Sequence, residues 1–428
     1  MQTPFAVTMG TIFSDAIGCN YGLKSSYYGI DSAIGEQYQA IGTLLPAAKF
    51  EYESRDNTTT LASGTEFRQQ PTIKRATATS TISLAAFYGL RAANKNIEIQ
   101  ILNFLNDKQT LLLNVFEAYK GAVVNYEIYY TQKAQIKYLD NVYSQETQKM
   151  DAGASTQTNV AQAKANLDKA TANSIKSRMN IIMSLNTLKA LTGTHYKSLP
   201  KLPEDINASK ELQLKPLRFY QEEGFKNNLV LKQLRKGVEF QTAVQRAAQL
   251  QYLPYLQITG QYSETDFASS DEPTSFDISR NKRATASIIY TFGGDRYGKM
   301  KTQIAQRKIV ENRLNNEISH FYSNVANAYL GTIASARSIE KFDQTVLSAE
   351  ISLKASKASF DVGAATILDI LDSLQDLMDA QASAANARYN YLSSYISVRQ
   401  LAGEDIWEYT EDLDKVLTKQ IKIDYSLL

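Results

Sequence analysis

The feature that most constrains the fold of this chain is an internal duplication. Short landmarks in the first half return in the second half, displaced by 208 positions at first and by 210 positions towards the end. The matched pairs are Asn20 and Asn228, Leu23 and Leu231, Leu45-Pro46 and Leu253-Pro254, Arg75–Ala78 and Arg283–Ala286, Gly153 and Gly363, and Gly193 and Gly403. A period this long is far outside the range of solenoid repeats. We therefore predict two similar halves that fold together, with one structural unit used twice.

Composition predicts long, uninterrupted elements and argues against several kinds of chemistry. The 428 residues include only 8 Pro and 20 Gly. A net charge of +2, with no run rich in Lys or Arg, argues against nucleic acid as a partner. One cysteine, Cys19, excludes an internal disulfide, and two histidines cannot build a Cys/His metal cluster, so we expect no metal and no cofactor. No nucleophile, base and orienting group fall together, and no phosphate-binding glycine loop occurs, so we expect no enzyme.

The first 18 residues do not match a secretory signal. They contain no Lys or Arg and include Asp15, whereas a signal peptide begins with a basic segment. Ala16–Cys19 resembles a lipoprotein cleavage box, which would make Cys19 a lipid attachment site. Because Asn20 and Leu23 belong to the repeat, we instead expect Cys19 to lie inside a helix. The sequence contains no stretch of about 18 apolar residues, so it predicts no transmembrane helix.

Apolar residues alternate at spacings of four and three from about 90 to 150, and the second half repeats this pattern. The seam residues of the first half include Ile97, Ile101, Phe104, Leu111, Val115, Leu139, Tyr143 and Met150; those of the second include Leu314, Ile318, Phe321, Val325, Phe342, Val346, Leu353 and Phe360. A seam sustained over about six heptads is typical of helices packed along their length as in a coiled coil. At about 1.5 Å per residue, about 60 residues form a rod of about 90 Å.

Both predicted rods end at an Asp-x-Gly sequence, from which a second helix returns. Gly153 and Gly363 suit the left-handed conformation that ends a helix. Thr156 and Thr366 suit the N-cap of the returning helix, which a Leu-x-Gly sequence then closes. Each half also opens with a further helix. The predicted opening helices are 14–43 and 226–251.

Between the opening helix and the rod of each half, the apolar period changes from helical to two. Alternating apolar and polar residues predict strands with one dry face. The predicted strands are 48–53, 76–84, 256–262 and 284–292, and the predicted polar loops that bridge each pair are 54–74 and 263–282. Pro46 and Pro254 mark the change from helix to strand, because proline ends the helical ladder and favours extended geometry in the preceding residue.

Strands with one polar and one apolar face are typical of membrane barrels. Four strands cannot close a barrel across a bilayer, and an open edge would leave backbone groups unpaired in lipid, so several chains must share one sheet. The strand pattern is compatible with more than one number of chains in the barrel. A soluble antiparallel sheet packed on an ordinary core gives the same alternation. Hairpins next to such long helical rods have no such core to pack on, so the rods favour the membrane barrel.

These residues together resemble the TolC-like outer membrane efflux proteins. The similarity rests on Leu-Pro before a strand, on the Asp-Val-Gly turn at 361–363, and on the segment TILDILDSLQDLMDAQASAANARYNYLSSYISVRQLAG at 366–403. The resemblance implies a homotrimer in which four strands per chain close a twelve-stranded barrel in outer membrane lipid, while helices form a tunnel across the periplasm of a Gram-negative bacterium. It also implies export of drugs or secreted proteins with a periplasmic adaptor protein and an inner membrane transporter.

We therefore predict a mainly α fold with β: long antiparallel coiled-coil helices plus four strands contributed to a trimeric 12-stranded β-barrel, with an internal two-fold structural repeat. The predicted divisions are 1–193 for the first repeat, with β-hairpin 45–87 and helical hairpin 90–193; 194–224 for an equatorial linker; 225–403 for the second repeat, with β-hairpin 253–292 and helical hairpin 295–402; and 404–428 for an equatorial C-terminal tail.

Four aspartates form one stripe of the second returning helix: Asp369, Asp372, Asp376 and Asp379. A solvated helix face explains such a stripe, and Asp369 also suits the helix start after Thr366. The resemblance implies a further role, since the family places rings of carboxylates at the positions of Asp369 and Asp372, at a narrow periplasmic entrance. We assign these two to a cation-attracting gate and the other two to the tunnel lining.

Three gate positions depart from the family's pattern. The family's entrance arginine matches Ala365, its tyrosine matches Phe360, and an aspartate in the first half matches Asn159. The salt bridge and hydrogen bonds that hold the family's closed state cannot form as such. We expect closure to depend on other contacts or to be looser.

The resemblance also assigns the two turns to adaptor docking. The predicted docking residues are Gly153, Ala154, Gly363 and Ala364, whose small size would let an adaptor approach closely. In the barrel, Lys49, Glu51 and Glu53 alternate with apolar neighbours and are predicted to face the lumen, where their mixed signs give no clear ion preference. Candidates for an interfacial aromatic belt are Tyr52, Tyr262 and Tyr290.

Two other protein classes fit parts of the pattern. A soluble coiled-coil scaffold with small sheets would be monodisperse without detergent, whereas the channel would need detergent and would have the mass of a trimer. A periplasmic adaptor also has a long helical hairpin, but adaptors typically carry one hairpin flanked by a split β domain. The sequence leaves the cargo and the pump partner open.

Overall fold

Long helices dominate the computed structural model, which describes residues 7–60, 62–64, 66–203, 208–269, 278–291, 293–362 and 364–423. The helices are α1 Met9–Cys19, α2 Tyr21–Gly42, α3 Leu84–Asp151, α4 Gln157–Thr192, α5 Ala208–Glu211, α6 Leu217–Asn227, α7 Leu229–Leu250, α8 Gly294–Asp361, α9 Ile367–Leu401 and α10 Ile406–Val416. The strands are β1 Ala47–Ser54, β2 Asn57–Thr60, β3 Glu66–Ile82, β4 Ser198–Lys201, β5 Tyr255–Ser269, β6 Ile278–Ile289 and β7 Lys419–Lys422. Among the described helices, none is both long and apolar enough to cross a membrane.

The chain forms two compact units, and each takes segments from both halves of the sequence. The helical unit comprises Met1–Ser25, Phe104–Leu231 and Glu317–Leu428. The sheet unit comprises Ser26–Asn103 and Lys232–Asn316.

The opening helix predicted for each half is wrong as a single element. The predicted helix 14–43 is divided at Asn20 into α1 and α2. The predicted helix 226–251 is broken at Asn228, which separates α7 from the last two residues of α6, and α6 itself begins well before the predicted start. Apolar periodicity runs through both positions, so it does not reveal the breaks. Asparagine is a poor helix former because its side chain competes for nearby backbone groups, and this preference decides the local structure.

The repeated asparagines end one helix and start the next. Asn20 and Asn228 both leave the helical backbone conformation, with ψ of 117° and 127°. The Oδ1 atom of Asn20 accepts the backbone N–H of Leu23 at 2.9 Å, and that of Asn228 accepts the N–H of Leu231 at 3.1 Å. The repeated Asn and Leu are therefore matched helix starts. Cys19 is the last residue of α1, which confirms that it lies in a helix.

In the sheet unit, one antiparallel sheet has the strand order β1-β3-β5-β6, and β2 pairs with β3 beyond the end of β1. The predicted loop 54–74 is wrong, because β2 and the first part of β3 occupy it. β5 and β6 likewise extend into the predicted loop 263–282. These segments are mostly polar, with only isolated apolar residues, so they lack the sustained alternation that indicates a strand. Phe292, the end of a predicted strand, lies outside the described residues.

A proline interrupts the edge of the sheet without changing its register. β1 and β2 continue one pairing along β3, and Pro71 lies opposite the gap between them. Pro71 has no N–H to donate, but its carbonyl accepts the backbone N–H of Arg55 at 3.0 Å. The ladder is therefore broken for two residues and then resumes.

A ring of four alternating charges joins α3 to α7 in the sheet unit. The Nζ atom of Lys95 lies 2.8 Å from Glu98 and 2.9 Å from Glu239, and that of Lys236 lies 2.8 Å and 3.4 Å from the same two carboxylates. The hydrogen bond to Glu98 is the main cause of the raised pKa of Lys95, and the two lysines lower the pKa of both glutamates. Such a network contributes more than an isolated surface pair.

In the helical unit, short turns join α3 to α4 and α8 to α9, and the predicted caps of the returning helices are confirmed. Thr156 Oγ1 accepts the backbone N–H of Asn159 at 3.2 Å at the start of α4, and Thr366 caps α9 in the same way. Gly193 and Gly403 have φ of 73° and 71°, the left-handed region in which glycine ends a helix.

The main core of the helical unit includes two fully buried tyrosines that hold β4 in place. The hydroxyl of Tyr119 donates to the carbonyl of Pro200 at 2.7 Å, and the hydroxyl of Tyr389 accepts the backbone N–H of Leu202 at 3.1 Å. Burial raises the pKa of both phenols, so they remain neutral donors and acceptors. Backbone groups of the linker are thereby satisfied in the core.

The linker 194–224 and the tail 404–428, for which the sequence predicted no elements, pack together in the helical unit. β4 pairs with β7 in antiparallel register. Arg399 at the end of α9 donates hydrogen bonds to Glu404 and to Asp412 on α10, with only 12% of its side chain exposed. The strands are four residues long, too short for a pattern to be visible in sequence.

Candidate functional site

A Schellman motif closes the turn between α3 and α4. Gly153 has a φ of 75°, which favours glycine. Its N–H donates to the carbonyl of Met150 at 2.9 Å, and the N–H of Ala154 donates to that of Lys149 at 2.7 Å. Apart from Gly153 itself and its two chain neighbours, no heavy atom of the described residues lies within 4 Å of the place where a Cβ of Gly153 would stand. The two predicted docking residues of this turn therefore present bare, exposed backbone.

The turn between α8 and α9 has the corresponding hydrogen bond. The backbone N–H of Ala364 donates to the carbonyl of Ser359 at 2.8 Å, and that of Ala365 donates to the same carbonyl at 3.2 Å. Gly363 lies outside the described residues. Ala364 is exposed and Ala365 is half-buried, so these two turn positions present only methyl groups.

The acidic stripe of α9 is exposed, and its first member is committed to the helix start. Asp369 Oδ2 accepts the backbone N–H of Thr366 at 2.6 Å and its hydroxyl at 2.7 Å. These hydrogen bonds, the backbone one first, lower the pKa of Asp369. Asp372 and Asp376 are exposed, and Asp379 accepts hydrogen bonds from Gln375 at 3.1 Å. Within the described ranges, no group of three His, Cys, Asp or Glu is placed to hold a metal ion.

Asn159 is joined to a buried carboxylate beside the first turn. Its Nδ2 donates to Ser155 Oγ at 3.3 Å, and that hydroxyl donates to Glu146 Oε2 at 2.6 Å. Lys149 Nζ donates to the other oxygen, Oε1, at 2.9 Å. Burial opposes the charge on Glu146, which is 3% exposed, but these hydrogen bonds outweigh it and lower its pKa. The carboxylate is therefore ionised and has a partner at each oxygen.

Phe360 on α8 belongs to the same constellation. The Nζ atom of Lys149 lies 4.7 Å from the centroid of the Phe360 ring, within the range of a cation–π contact. Two of the sequence-predicted gate residues, Asn159 and Phe360, are thus connected through Lys149 and Glu146. Ala365 and the acids of α9 do not take part in these contacts.

Sequence reasoning missed Glu146, Lys149 and Ser155, although one signal was present. The apolar seam of the first rod runs through Leu139, Tyr143 and Met150. Its alternation of four and three places Glu146 on the seam, where an apolar residue is expected. A charged residue at a seam position indicates a buried polar network.

On the polar face of the sheet, the predicted lumen residues are already paired. Glu51 lies 2.5 Å from Lys49 Nζ and 3.3 Å from Arg75 Nη1, and Glu53 lies 2.6 Å from Arg55 Nε. Lys49 and Glu51 share this face with a ladder of threonines, serines and glutamines on the neighbouring strands. The charges therefore compensate one another locally.

The opposite face of the sheet is apolar at the end joined to the helices and charged beyond it. Its first cross-strand rows contain Ile82, Leu256 and Ile288; then Ser80, Ile258 and Ala286; then Ala48, Ala78, Gly260 and Ala284. The next rows contain Phe50, Ala76, Tyr262 and Lys282, and then Tyr52, Lys74, Glu264 and Arg280. Tyr52 and Tyr262 thus lie where the apolar rows end, and Tyr290 lies just past β6 at the other end. Phe50 is 82% exposed and Ile288 is 79% exposed.

This combination of paired helical hairpins and a sheet with an exposed apolar face matches an established protein family. The outer membrane efflux protein family matches residues 44–194 and 223–404. The chain belongs to this family, whose members are outer membrane channels for export. The family match favours the channel over the scaffold and the adaptor considered above.

Individual relatives agree with this assignment. Outer membrane protein TolC of Escherichia coli (strain K12) is 27% identical over 334 residues, which cover 76% of this chain and 67% of TolC. Alkaline protease secretion protein AprF of Pseudomonas aeruginosa is 22% identical over 388 residues, covering 86% of this chain and 79% of AprF. The chain spans about two thirds of the length of the TolC proteins of E. coli and Salmonella enteritidis, 67% and 66%.

A solved structure supports the fold. The Campylobacter jejuni CmeC outer membrane channel superposes with a TM-score of 0.79 over 98% of this chain and 90% of that one. The two sequences are 16% identical, so this likeness establishes the fold alone.

Proposed function

We propose that three copies of this chain form an export channel in the outer membrane, with four strand positions from each copy closing one twelve-stranded barrel. The sheet carries this proposal. Among the described strands, β1 with β2 forms one edge and β6 the other, and neither edge has a partner within the chain. In lipid both edges need partners, and a repeated contact of β6 with the β1 edge of the next copy closes a ring.

The two faces of the sheet fit the two environments of such a barrel. The apolar rows would face lipid, and the tyrosines at their limit would lie at the membrane interface. The opposite face, with Lys49, Glu51 and Glu53, would line the lumen. Because these charges are paired, the barrel should discriminate weakly between cations and anions.

The helical hairpins would form the periplasmic tunnel, with the two turns at its entrance. Each half of the duplicated sequence would supply one hairpin. The exposed acids Asp369 and Asp372 would line the gate, and the bare turns would dock on a periplasmic adaptor. The proposed docking residues are Gly153, Ala154, Gly363 and Ala364. An inner membrane transporter would supply the energy, because the family consists of channels.

The relatives suggest two classes of cargo. AprF is named for secretion of alkaline protease, and the family is named for efflux. We assign this chain to export of drugs or secreted proteins, with selectivity residing in the pump. The residues at the entrance act on charge and size, and none of them has the geometry of a specific ligand pocket.

The proposal is tested by the mass and conductance of the full chain purified in detergent. We expect the mass of three copies and single-channel conductance in a planar bilayer. A stable, monodisperse single copy without detergent would instead support the coiled-coil scaffold and would overturn the channel.

A further inference from the structure

We propose that Glu146 and Lys149 are the centre of a clasp that fixes the separation of the two hairpin turns. Its other members are Ser155, Asn159 and Phe360, and these five residues are called the tip clasp. Its role at a channel entrance rests on the proposed function. Its existence as a tie between α3 and α8 rests on the contacts alone.

Glu146 is buried at a seam position of α3. A carboxylate at a seam position costs stability unless every charge is compensated, because burial in an apolar environment penalises the ionised form. Here one oxygen accepts from Lys149 and the other from Ser155. Ser155 lies in the turn itself, so the charge on α3 holds the turn against the helix that precedes it. Asn159, which donates to Ser155, extends this tie to α4.

Lys149 connects Glu146 to the second hairpin. Its ammonium donates to Glu146 on its own helix and lies over the ring of Phe360 on α8. Glu146 anchors the flexible lysine, so that the charge stays over the ring instead of moving into solvent. The contact between hairpins therefore depends on the buried acid.

A reciprocal contact shows that α3 and α8 are tied in both directions. The Nζ atom of Lys357 on α8 lies 4.1 Å from the ring centroid of Tyr138 on α3. Each helix thus supplies one cation and one aromatic ring near its end. Two crossed contacts of this kind resist sliding as well as separation of the helices.

The consequence is a fixed distance between the first turn and the second. Asn159 and Phe360, which the sequence placed at the gate, are members of one connected group. Loss of Lys149 would leave Phe360 with only its apolar packing and would leave Glu146 without its cation. The turns would then separate more easily, and the entrance would widen.

The test measures the distance between spin labels on cysteines placed at Ala152 and Val362, which are both exposed. Cys19 is replaced by serine, and labelled chains are diluted with unlabelled chains so that each trimer carries one labelled copy. We expect one short, narrow distance in this parent. Lys149→Met and Glu146→Gln should lengthen and broaden it, and Lys149→Arg should restore it, because arginine also forms cation–π contacts.

Lys164→Met is the matched control. Lys164 lies 5.6 Å from the ring of Tyr143, but this contact stays within the first hairpin, so the distance should not change. Unchanged distances in both Lys149→Met and Glu146→Gln overturn the clasp. Should Lys149→Met fail to assemble, Glu146→Gln and Ser155→Ala give the same reading.

Conductance separates the clasp from the channel proposal. Longer distances with increased trimer conductance support the role at the entrance, and longer distances with unchanged conductance overturn that role. Normal conductance with unchanged distances rejects the clasp and leaves the channel intact. If no assembled trimer conducts, including the parent, the channel proposal is rejected. The measured distances still show whether the tip clasp exists.

Discussion

The side chain of Asn228 donates a hydrogen bond to the backbone carbonyl of Leu401 at 3.1 Å, joining the start of α7 to the end of α9. The same side chain accepts the N–H of Leu231, so one amide both caps a helix and satisfies the end of another. Asn228 is 8% exposed. Its counterpart Asn20 makes the capping bond to Leu23 through Oδ1. Among the described contacts, the side chain of Asn20 makes no other hydrogen bond.

Asn228→Ala should therefore be more destabilising than Asn20→Ala. Loss of a cap costs about 1 kcal/mol, and loss of a buried hydrogen bond that leaves a carbonyl unpaired costs about 1–3 kcal/mol more. The measurement is the thermal unfolding midpoint of each purified variant. Equal shifts in the two variants would contradict the bond to Leu401 as a separate contribution.

Arg399→Met should be strongly destabilising. The guanidinium serves Glu404 and Asp412, and removal of one partner from a largely buried ion pair costs about 3–5 kcal/mol. Because a quarter of the Asp412 side chain is exposed, we expect the lower end of this range. Arg399→Lys keeps the charge but loses the two-pronged geometry, so it should lie between the parent and Arg399→Met in denaturant unfolding.

Asp412 should make the fold sensitive to acid. Burial favours its neutral form, but hydrogen bonds from Lys415 and Arg399 outweigh this and hold its pKa below the ordinary value. The stabilisation is thus complete above about pH 4, the unfolded pKa, and is lost as pH falls through the lower folded pKa. Asp412→Asn should flatten the acid limb of a plot of unfolding midpoint against pH. Glu411→Gln, at an exposed neighbour, should leave that limb unchanged.

Charge on the apolar face of the sheet should block assembly in the membrane. Ile258→Lys places a cation within the apolar rows, where the barrel would meet lipid, at a cost of about 2–4 kcal/mol near the midplane. Thr79→Lys, on the polar face of the adjacent strand, is the control. We expect fewer trimers in outer membrane extracts for Ile258→Lys only. Equal loss in both variants would argue that the two faces have no distinct environments.

Substitution of Asp369 and of Asp372 on α9 should distinguish a helix-capping role from a role in the gate. Asp369→Asn weakens the capping box and should lower the unfolding midpoint, whereas Asp372→Asn has no capping bond to lose. Both should reduce cation preference in bilayer recordings if they line the entrance. A change in selectivity for neither variant would restrict the stripe to a solvated helix face.

The long elements could be predicted from sequence because their signals are redundant. The heptad seam, the Thr156 and Thr366 caps and the glycine stops each indicate the same helices. Agreement between such independent local signals is what makes an element predictable. The apolar periodicity continues through the helix breaks at Asn20 and Asn228, so the pattern alone did not predict them.

The packing of the linker and much of the candidate site could not be predicted, because both depend on contacts between residues that are distant in sequence. The pairing of β4 with β7 joins segments more than 200 positions apart, and neither has a pattern of its own. The contact of Lys149 with Phe360 likewise requires the packing of α3 on α8. Only the misplaced charge of Glu146 on the seam was visible in advance.

The unpaired edges at β1 and β6 have a consequence for how mixed populations of subunits behave. In the proposed trimer, each copy pairs one sheet edge with each neighbour. A single copy with a mutated edge therefore prevents closure of the barrel even when the other two copies are intact. When sound and damaged chains are made together, the yield of working pores should fall as the third power of the sound fraction. Edge mutations should therefore be dominant over the intact protein.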